Sequence, residues 1–359
     1  ADAAIRDSVA SRGLGDVYKR QDLLYNGPFE MTLWVHGAHV RLEKNPDYWG
    51  RERIRLNVID MPYFTTDATS ALNLFKDGKV AVVDYLGAEQ LNEVLQQRWQ
   101  LKRFGDGSVW FLAFNFSPDR ITSNWHLRKA LQLVTDPSEL VNRVIKLPGN
   151  LPGESLFPVW LQGVNTFFRQ EHPVPKIELN LEAAREHLEI AMEELGLDNP
   201  PSIALLVDDS PGAAKQAEYF QNLYGSQLGL DIRIDRQIFK QRLAKMQNQD
   251  FDLAVYGWGP DFADPLTFGE LFASWNPNNN GRFNNTEYDE SVRLAQSSLN
   301  PQTRMEAFAR QQEILIEEVA LIPNYERGRV YITDRRLQGV VRRAVGPDPD
   351  YTNAFISSD

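Results

Sequence analysis

A nine-residue loop, GWGPDFADP (257–265), carries the residues best suited to bind a ligand. It directly follows the apolar segment FDLAVY (251–256), which we predict to be a strand. Two glycines and a proline keep the loop irregular, and ligands of open α/β sheets bind at the carboxyl ends of strands. Asp261 beside Trp258 and Phe262 suits a ligand with a cationic group and apolar parts. The alternative is that the aspartates of this loop only cap backbone N–H groups of the turn.

The same loop gives weak support for catalysis. Asp261 and Asp264 lie three residues apart, and a hydrolase of the glycosidase type also uses two carboxylates. No Gly-x-Ser-x-Gly elbow, Walker loop or His-Glu-x-x-His motif occurs in the chain. The sequence therefore predicts no catalytic residue, and a hydrolase remains only an alternative to a binding protein.

Other charged and metal-binding side chains form no convincing site. His36 and His39 flank a predicted turn, and no further metal ligand can be placed beside them. His126 and His187 fall in predicted helices without a predicted partner. Six arginines and no lysine occur within 327–343, which we interpret as a solvated strand face rather than an anion site. We expect neither a metal nor a cofactor.

Composition narrows the class of protein. The chain has 359 residues, enough for two or three domains, and its 42% hydrophobic and 24% charged residues exclude a disordered chain. A formal net charge of −11 argues against nucleic acid as a partner, because phosphate binding needs a basic face. The absence of cysteine excludes a disulfide framework and cysteine-bound zinc.

The elements that would position the loop alternate between strands and helices. Residues 26–45 have the period-two pattern of a β-hairpin, and Asn180 and Gly196 bracket an amphipathic helix over 181–195. Residues 200–256 read as a β-α-β-α-β run, which predicts a parallel or mixed sheet. The fold class predicted from these patterns is α/β.

Several motifs in register then resemble a known family, the extracellular solute-binding proteins of ABC importers that bind oligopeptides and dipeptides. The segments that carry the resemblance are NGPFEMTLWVHGAHVRLEKNPDYWG, FKDGKVAVVD, LAFNF with HLRKALQLVTDPSELVNRV, GWGPDFADP, NNNGRFNNTEYD and EILIEEVALIPNY. None is decisive alone, but together they span the chain from about Asn26 to its end, which makes the agreement strong.

The resemblance implies a periplasmic-binding-protein-like fold, in which two α/β lobes joined by a hinge close on the ligand. Because the family's chains are longer, it also implies an amino-truncated fragment with one lobe incomplete. We expect residues 22–116 with 325–359 to form that incomplete first lobe and 117–324 to form the second. Residues 1–21 lack clear periodicity and contain SRGLGDVYKRQ, which is similar to translated adapter sequence. We predict that they are a scar or a disordered lead-in.

The resemblance also implies a function, which is that of a receptor and not of an enzyme. Such a receptor captures an oligopeptide and delivers it to an ABC permease at the membrane. Asp261 matches the aspartate that takes the peptide's α-ammonium, and Trp258 and Phe239 match aromatic residues that line a side-chain pocket. Phe262 and Gly259 are predicted as further ligand contacts in the same loop.

The same resemblance leaves a second ligand class open, a non-peptide solute such as an oligosaccharide or a chelate. It implies a periplasmic or extracytoplasmic location, with membrane association in the importer complex and a signal segment that this fragment lacks. The complete protein is expected to be a monomer.

Overall fold

The computed structural model describes residues 24–65 and 67–358. The prediction for residues 1–21 therefore lies outside the described residues. None of the described helices is both long enough and apolar enough to span a membrane.

Strands and helices alternate along the described chain as an α/β fold requires. The strands are β1 (Phe29–Val35), β2 (His39–Lys44), β3 (Val58–Met61), β4 (Val82–Val83), β5 (Leu101–Phe114), β6 (Leu151–Pro152), β7 (Ser202–Asp208), β8 (Asp231–Gln237), β9 (Leu253–Trp258), β10 (Leu321–Thr333), β11 (Leu337–Gln338) and β12 (Phe355–Ile356). The α-helices are α1 (Ala68–Lys76), α2 (Ala88–Gln96), α3 (Trp125–Val134), α4 (Pro137–Glu139), α5 (Phe168–Glu171), α6 (Leu181–Leu195), α7 (Pro211–Leu228), α8 (Phe239–Gln247), α9 (Leu266–Gly269), α10 (Thr286–Ser297) and α11 (Pro301–Glu317). Helix α4 continues as one π-helical stretch, Leu140–Ile145.

The chain divides into two compact units. The division does not follow the two predicted lobes, whose boundaries stay a prediction. Of the described residues, the first unit comprises 24–65, 67–71, 334–341 and 349–358, and the second comprises 72–333 and 342–348.

The first unit is built on an antiparallel sheet in the order β1-β2-β3. The predicted hairpin is confirmed, because β1 pairs with β2 from Phe29 opposite Lys44 to Val35 opposite His39. Gly37 lies in the turn with φ 68°, a left-handed conformation that glycine adopts without steric cost. Strands β11 and β12 form a second, two-stranded pairing in this unit.

The second unit contains a mixed sheet in the order β4-β10-β5-β9-β7-β8, with β6 added beside β10. Strand β7 runs parallel to both β8 and β9, which confirms the predicted β-α-β-α-β run. Strand β5 is antiparallel to β9 and to β10. The apolar segment VWFLAFNF (109–116) predicts only the second half of this strand, and β5 begins eight residues earlier because its first half pairs with the long strand β10.

Helices cover both faces of this sheet, and side chains of β5 contribute to the hydrophobic core on each face. Phe111 belongs to a buried cluster that includes Phe268 and Phe308 from α9 and α11. Leu112, the next residue, belongs to the opposite cluster with Leu131 and other side chains of α3, α6 and α7. This alternation is the period-two pattern of a strand buried on both sides.

Local end signals determine the helix that was predicted most closely. The side chain of Asn180 accepts a hydrogen bond from the backbone N–H of Ala183, and Gly196 ends α6 in the left-handed conformation at φ 66°. The prediction that His126 and His187 have no partner is wrong. Packing of α3 on α6 brings their Nδ1 atoms to 2.7 Å, a tertiary contact that neither helix reveals alone.

Candidate functional site

The predicted ligand loop lies at one edge of the sheet of the second unit. Strands β7, β8 and β9 are parallel, so their carboxyl ends, Asp208, Gln237 and Trp258, face the same edge. The antiparallel strand β5 crosses this edge, with Val109 opposite Trp258. In open α/β sheets this edge is where ligands bind.

Two glycines allow the loop to approach the sheet closely. A Cβ atom on Gly257 would lie 2.7 Å from ring atoms of Trp110. Gly107, with φ 79°, has so little space that a Cβ atom there would lie 2.9 Å from Cγ of Pro260. Both positions therefore require glycine, and the loop rests directly on β5.

The two aspartates of the loop have different roles. Asp264 forms a bidentate pair with Arg304, at 2.9 and 3.0 Å, and accepts a hydrogen bond from the backbone N–H of Leu266. The carboxylate of Asp261 is exposed and has no hydrogen-bond donor among the described residues. Only its backbone is fixed, through the N–H that donates to Oγ1 of Thr267 at 3.0 Å. The capping alternative therefore describes Asp264, whereas the Asp261 carboxylate is available to a ligand.

Aromatic side chains flank Asp261. Trp258 is partly buried and packs against the core cluster that contains Phe111. The buried indole N–H groups of Trp258 and Trp110 have no hydrogen-bond acceptor within the described part of the chain. Phe262 is 40% exposed. The exposed ring of Phe262 suits contact with an apolar part of a ligand.

The structure brings four of the five predicted site residues together. Trp258, Gly259, Asp261 and Phe262 belong to one loop, whereas Phe239 begins α8 at the end of β8. Phe239 is 64% exposed and lies on the same edge, but β7 separates β8 from β9. Their role as ligand contacts stays a prediction.

Sequence reasoning missed a charged cluster at this edge. The carboxylate of Asp106 accepts hydrogen bonds from Nε of Arg327 at 2.6 Å and from Nε of Arg329 at 2.7 Å. Both arginines belong to the arginine-rich segment predicted as a solvated face. That segment was the only signal available, because Asp106 precedes Arg327 by 221 residues.

Metal-binding chemistry has no support in the described residues. No group of three or more histidine, aspartate or glutamate side chains there is arranged to hold a metal ion. The contact between His126 and His187 is a hydrogen bond between two helices, and burial lowers the pKa of His187. This pair lies in α3 and α6, outside the loop that carries Asp261.

Comparison with known proteins decides the family. Residues 4–280 match the model of the bacterial extracellular solute-binding proteins, family 5 Middle. The chain belongs to this family. Members of this family are solute-binding proteins and not enzymes, and they are extracellular. The match begins inside the segment 1–21, whose predicted position outside the fold stays a prediction.

Individual members of family 5 are similar to the chain over most of its length. It is 28% identical to the oligopeptide-binding protein OppA of Bacillus subtilis, over 93% of this chain and 61% of that protein. The substrate-binding domain of an oligopeptide ABC transporter from Bacillus anthracis matches with a TM-score of 0.81 and 28% identity, over 93% of this chain and 65% of that one. Listeria monocytogenes OppA bound to peptide matches with a TM-score of 0.81 and 26% identity, over 94% and 66%.

These matches confirm the predicted resemblance and the periplasmic-binding-protein-like α/β fold. The chain spans about three fifths of the length of the curated relatives it matches. The ligand and the partners of this family 5 chain are therefore proposals.

Proposed function

We propose that the protein is the substrate-binding receptor of an ABC importer, which captures oligopeptides and delivers them to a membrane permease. Support comes from the family and from relatives named as oligopeptide-binding and dipeptide-binding proteins. The observation that carries the proposal is the Asp261 carboxylate, exposed and without a donor in the described chain, at the ligand edge of the sheet.

The chemistry of this loop suits the amino end of a peptide. A carboxylate and an ammonium form a charge-assisted hydrogen bond, which is stronger than one between neutral groups. The ring of Phe262 and the partly buried indole of Trp258 offer apolar contact for side chains. Water expelled when the ligand is enclosed would strengthen the ion pair, since its charges then interact in a lower dielectric.

Asp261 favours a peptide over the alternative ligands. An oligosaccharide of neutral sugars carries no ammonium, and the described residues hold no cluster of side chains that would coordinate the metal of a chelate. We further propose that the protein acts outside the cytoplasm, associates with the membrane through the importer complex and is monomeric when complete.

A thermal-shift screen of the intact protein against tri- to pentapeptides, oligosaccharides and metal chelates tests this function. A ligand that binds only the folded state raises the melting temperature, and the rise grows with the logarithm of the free ligand concentration above its Kd. We expect peptides with a free amine to raise it and their N-acetylated forms to raise it much less. Stabilisation by an oligosaccharide or a chelate, but by no peptide, would overturn the proposal.

A further inference from the structure

Two arginines share one carboxylate beside the candidate site. Nε of Arg327 and Nε of Arg329 both donate to the Oδ2 atom of Asp106, at 2.6 and 2.7 Å. The Oδ1 atom of the same carboxylate accepts a hydrogen bond from the backbone N–H of Ser108. Asp106 is therefore fully engaged, and its side chain is only 10% exposed.

Irregular backbone creates this arrangement. The pairing of β5 with β10 shifts register between Glu326 and Gly328, opposite the β5 residues that include Gly107 at φ 79°. Irregularities of this kind redirect side chains and occur often beside functional sites. Here they direct Arg327 and Arg329 toward the same atom of Asp106.

The outer edges of both guanidinium groups remain available. The Nη atoms of Arg329 have no hydrogen-bond acceptor among the described residues, and Arg327 uses only Nη2, toward Oγ of Ser108 at 3.3 Å. Their side chains are 26% and 30% exposed. Both guanidinium groups lie near aromatic rings. Cζ of Arg327 is 5.2 Å from the ring centroid of Trp110, and Cζ of Arg329 is 5.8 Å from that of Tyr85.

Neighbouring carboxylates do not occupy these edges. Asp348 influences Arg329 electrostatically, but its oxygens accept hydrogen bonds from Arg342 at 2.7 and 2.9 Å. Arg342 also holds Asp84. Among the described residues, Asp106 is thus the only carboxylate in contact with the arginine pair.

The arginine pair is continuous with the loop that carries Asp261. Oγ of Ser108 lies 3.3 Å from Nη2 of Arg327 and 3.3 Å from the position that a Cβ atom on Gly259 would occupy. The hydroxyl of Ser108 thus lies between the guanidinium of Arg327 and Gly259, which precedes Asp261 by two residues. An extended peptide spans about 3.5 Å per residue, so a ligand of a few residues is long enough to contact Asp261 and also a group that lies beside the same loop.

We propose that Arg327 and Arg329 bind a carboxylate of the ligand, so that the site selects peptides carrying a carboxylate within a few residues of their amino end. This inference rests on the proposed peptide-binding function and deepens it. The planar guanidinium presents paired donors that match a carboxylate, and Asp106 fixes their orientation before the ligand arrives. The carboxylate is either the C-terminus of a short peptide or an acidic side chain.

Calorimetric titration of three peptide forms distinguishes these two sources. The forms are tetra-alanine with a free C-terminus, the same peptide as its C-terminal amide, and the amide with glutamate as its last residue. A hydrogen bond to a charged group is worth about 1.5–3 kcal/mol, so we expect amidation to weaken binding by about tenfold or more. Restored affinity for the glutamate form would identify the side chain as an accepted source.

Arg329→Gln is the matching change in the protein, and Arg120→Gln is its control. The side chain of Arg120 is equally exposed, at 30%, and bonds to Asp252 just before the opposite end of β9. We expect Arg329→Gln to bind free-acid and amidated peptides alike and Arg120→Gln to keep the tenfold preference. Should Arg329→Gln not fold, Arg329→Lys retains the charge without the paired donors and should reduce the preference.

Failure of the carboxylate site and failure of peptide binding give different titration results. Equal binding of the acid, amide and glutamate forms by the wild type would overturn the carboxylate site while leaving peptide binding intact. An unchanged preference in Arg329→Gln would also overturn it. If no peptide binds the wild type, the proposed function fails, and the inference fails with it.

Discussion

The two ends of β9 differ in how completely their polar groups are satisfied. At the amino end, the side-chain amide of Asn115 donates to the backbone oxygens of Gln249 and Phe251, each at 2.9 Å. The hydroxyl of Thr122 donates to the backbone oxygens of Asn115 and Asp252. Asp252 itself accepts a hydrogen bond from the backbone N–H of Ala204 and pairs with an arginine.

At the carboxyl end, several strong donors and acceptors have no partner among the described residues. They are the Asp261 carboxylate, the indole N–H groups of Trp110 and Trp258, and the Nη atoms of Arg329. Buried polar groups are nearly always hydrogen-bonded in folded proteins, so unused ones require an explanation. A network that is complete within the chain holds strands together, whereas one that is incomplete is suited to a ligand.

The largest effect is expected at the amino end. Asn115→Leu would leave the buried carbonyl of Phe251 without its donor and the carbonyl of Gln249 with only Nη2 of Arg120, which we expect to lower the free energy of unfolding by about 3 kcal/mol. Urea denaturation measures this loss, and Asn73→Ala, at an exposed helix position, is the control with little effect. Peptide affinity should change less than twofold. A large loss of affinity in a folded Asn115→Leu protein would contradict the separation of a structural amino end of β9 from a ligand-binding carboxyl end.

A second effect depends on pH and involves Glu326, on β10 opposite Val109. Burial raises the pKa of Glu326 to about 7, although the backbone N–H of Val159 donates to both of its oxygens. The folded state then holds a proton that the unfolded chain, with an ordinary pKa of 4.5, releases earlier. Stability should therefore fall as pH rises from about 4.5 to 7, by at most about 3 kcal/mol for this group.

Glu326→Gln removes this titration. Urea denaturation from pH 4.5 to 8 should show a smaller decline in the variant than in the wild type. Arg169, 3.9 Å from Glu326, opposes the effect of burial and is unchanged in both proteins. Parallel stability curves would show that Glu326 ionises in the folded protein much as it does in the unfolded chain.

The smallest effect separates the two aspartates of the loop by stability. Asp264→Asn removes a partly exposed bidentate pair with Arg304 and should cost about 1 kcal/mol of unfolding free energy. Asp261→Asn should cost none that denaturation can resolve, because its carboxylate has no protein donor in the described chain. Equal losses in the two variants would indicate that Asp261 is also structural.

Local signals in the sequence predicted much of the fold. The bounds of α6 follow from Asn180 and Gly196, and the start of α11 follows from Asn300, whose side chain accepts hydrogen bonds from the first turn. The loop after β9 was predicted from its glycines and from the apolar segment before it. The sequence did not predict helices α2, α4, α5, α9 or α10.

Contacts between distant residues account for what sequence reasoning missed. Asp264 meets Arg304 across 40 residues, and nothing near Asp264 in the chain distinguishes it from Asp261. His126 meets His187 across 61 residues. Such pairings depend on how the helices and strands pack, and a single sequence does not specify them.

Calorimetry on Asp261→Asn tests most directly whether the unpaired end of β9 binds the amino group of a peptide. Removing one partner of an enclosed charge pair costs about 2–5 kcal/mol, so a peptide with a free amine should bind at least roughly 30-fold more weakly. The N-acetylated peptide should bind the wild type weakly and the variant equally weakly, and Asp264→Asn should retain the wild-type affinity for both. If the free and acetylated peptides lose the same affinity in Asp261→Asn, the ammonium is bound elsewhere and Asp261 is not the anchor.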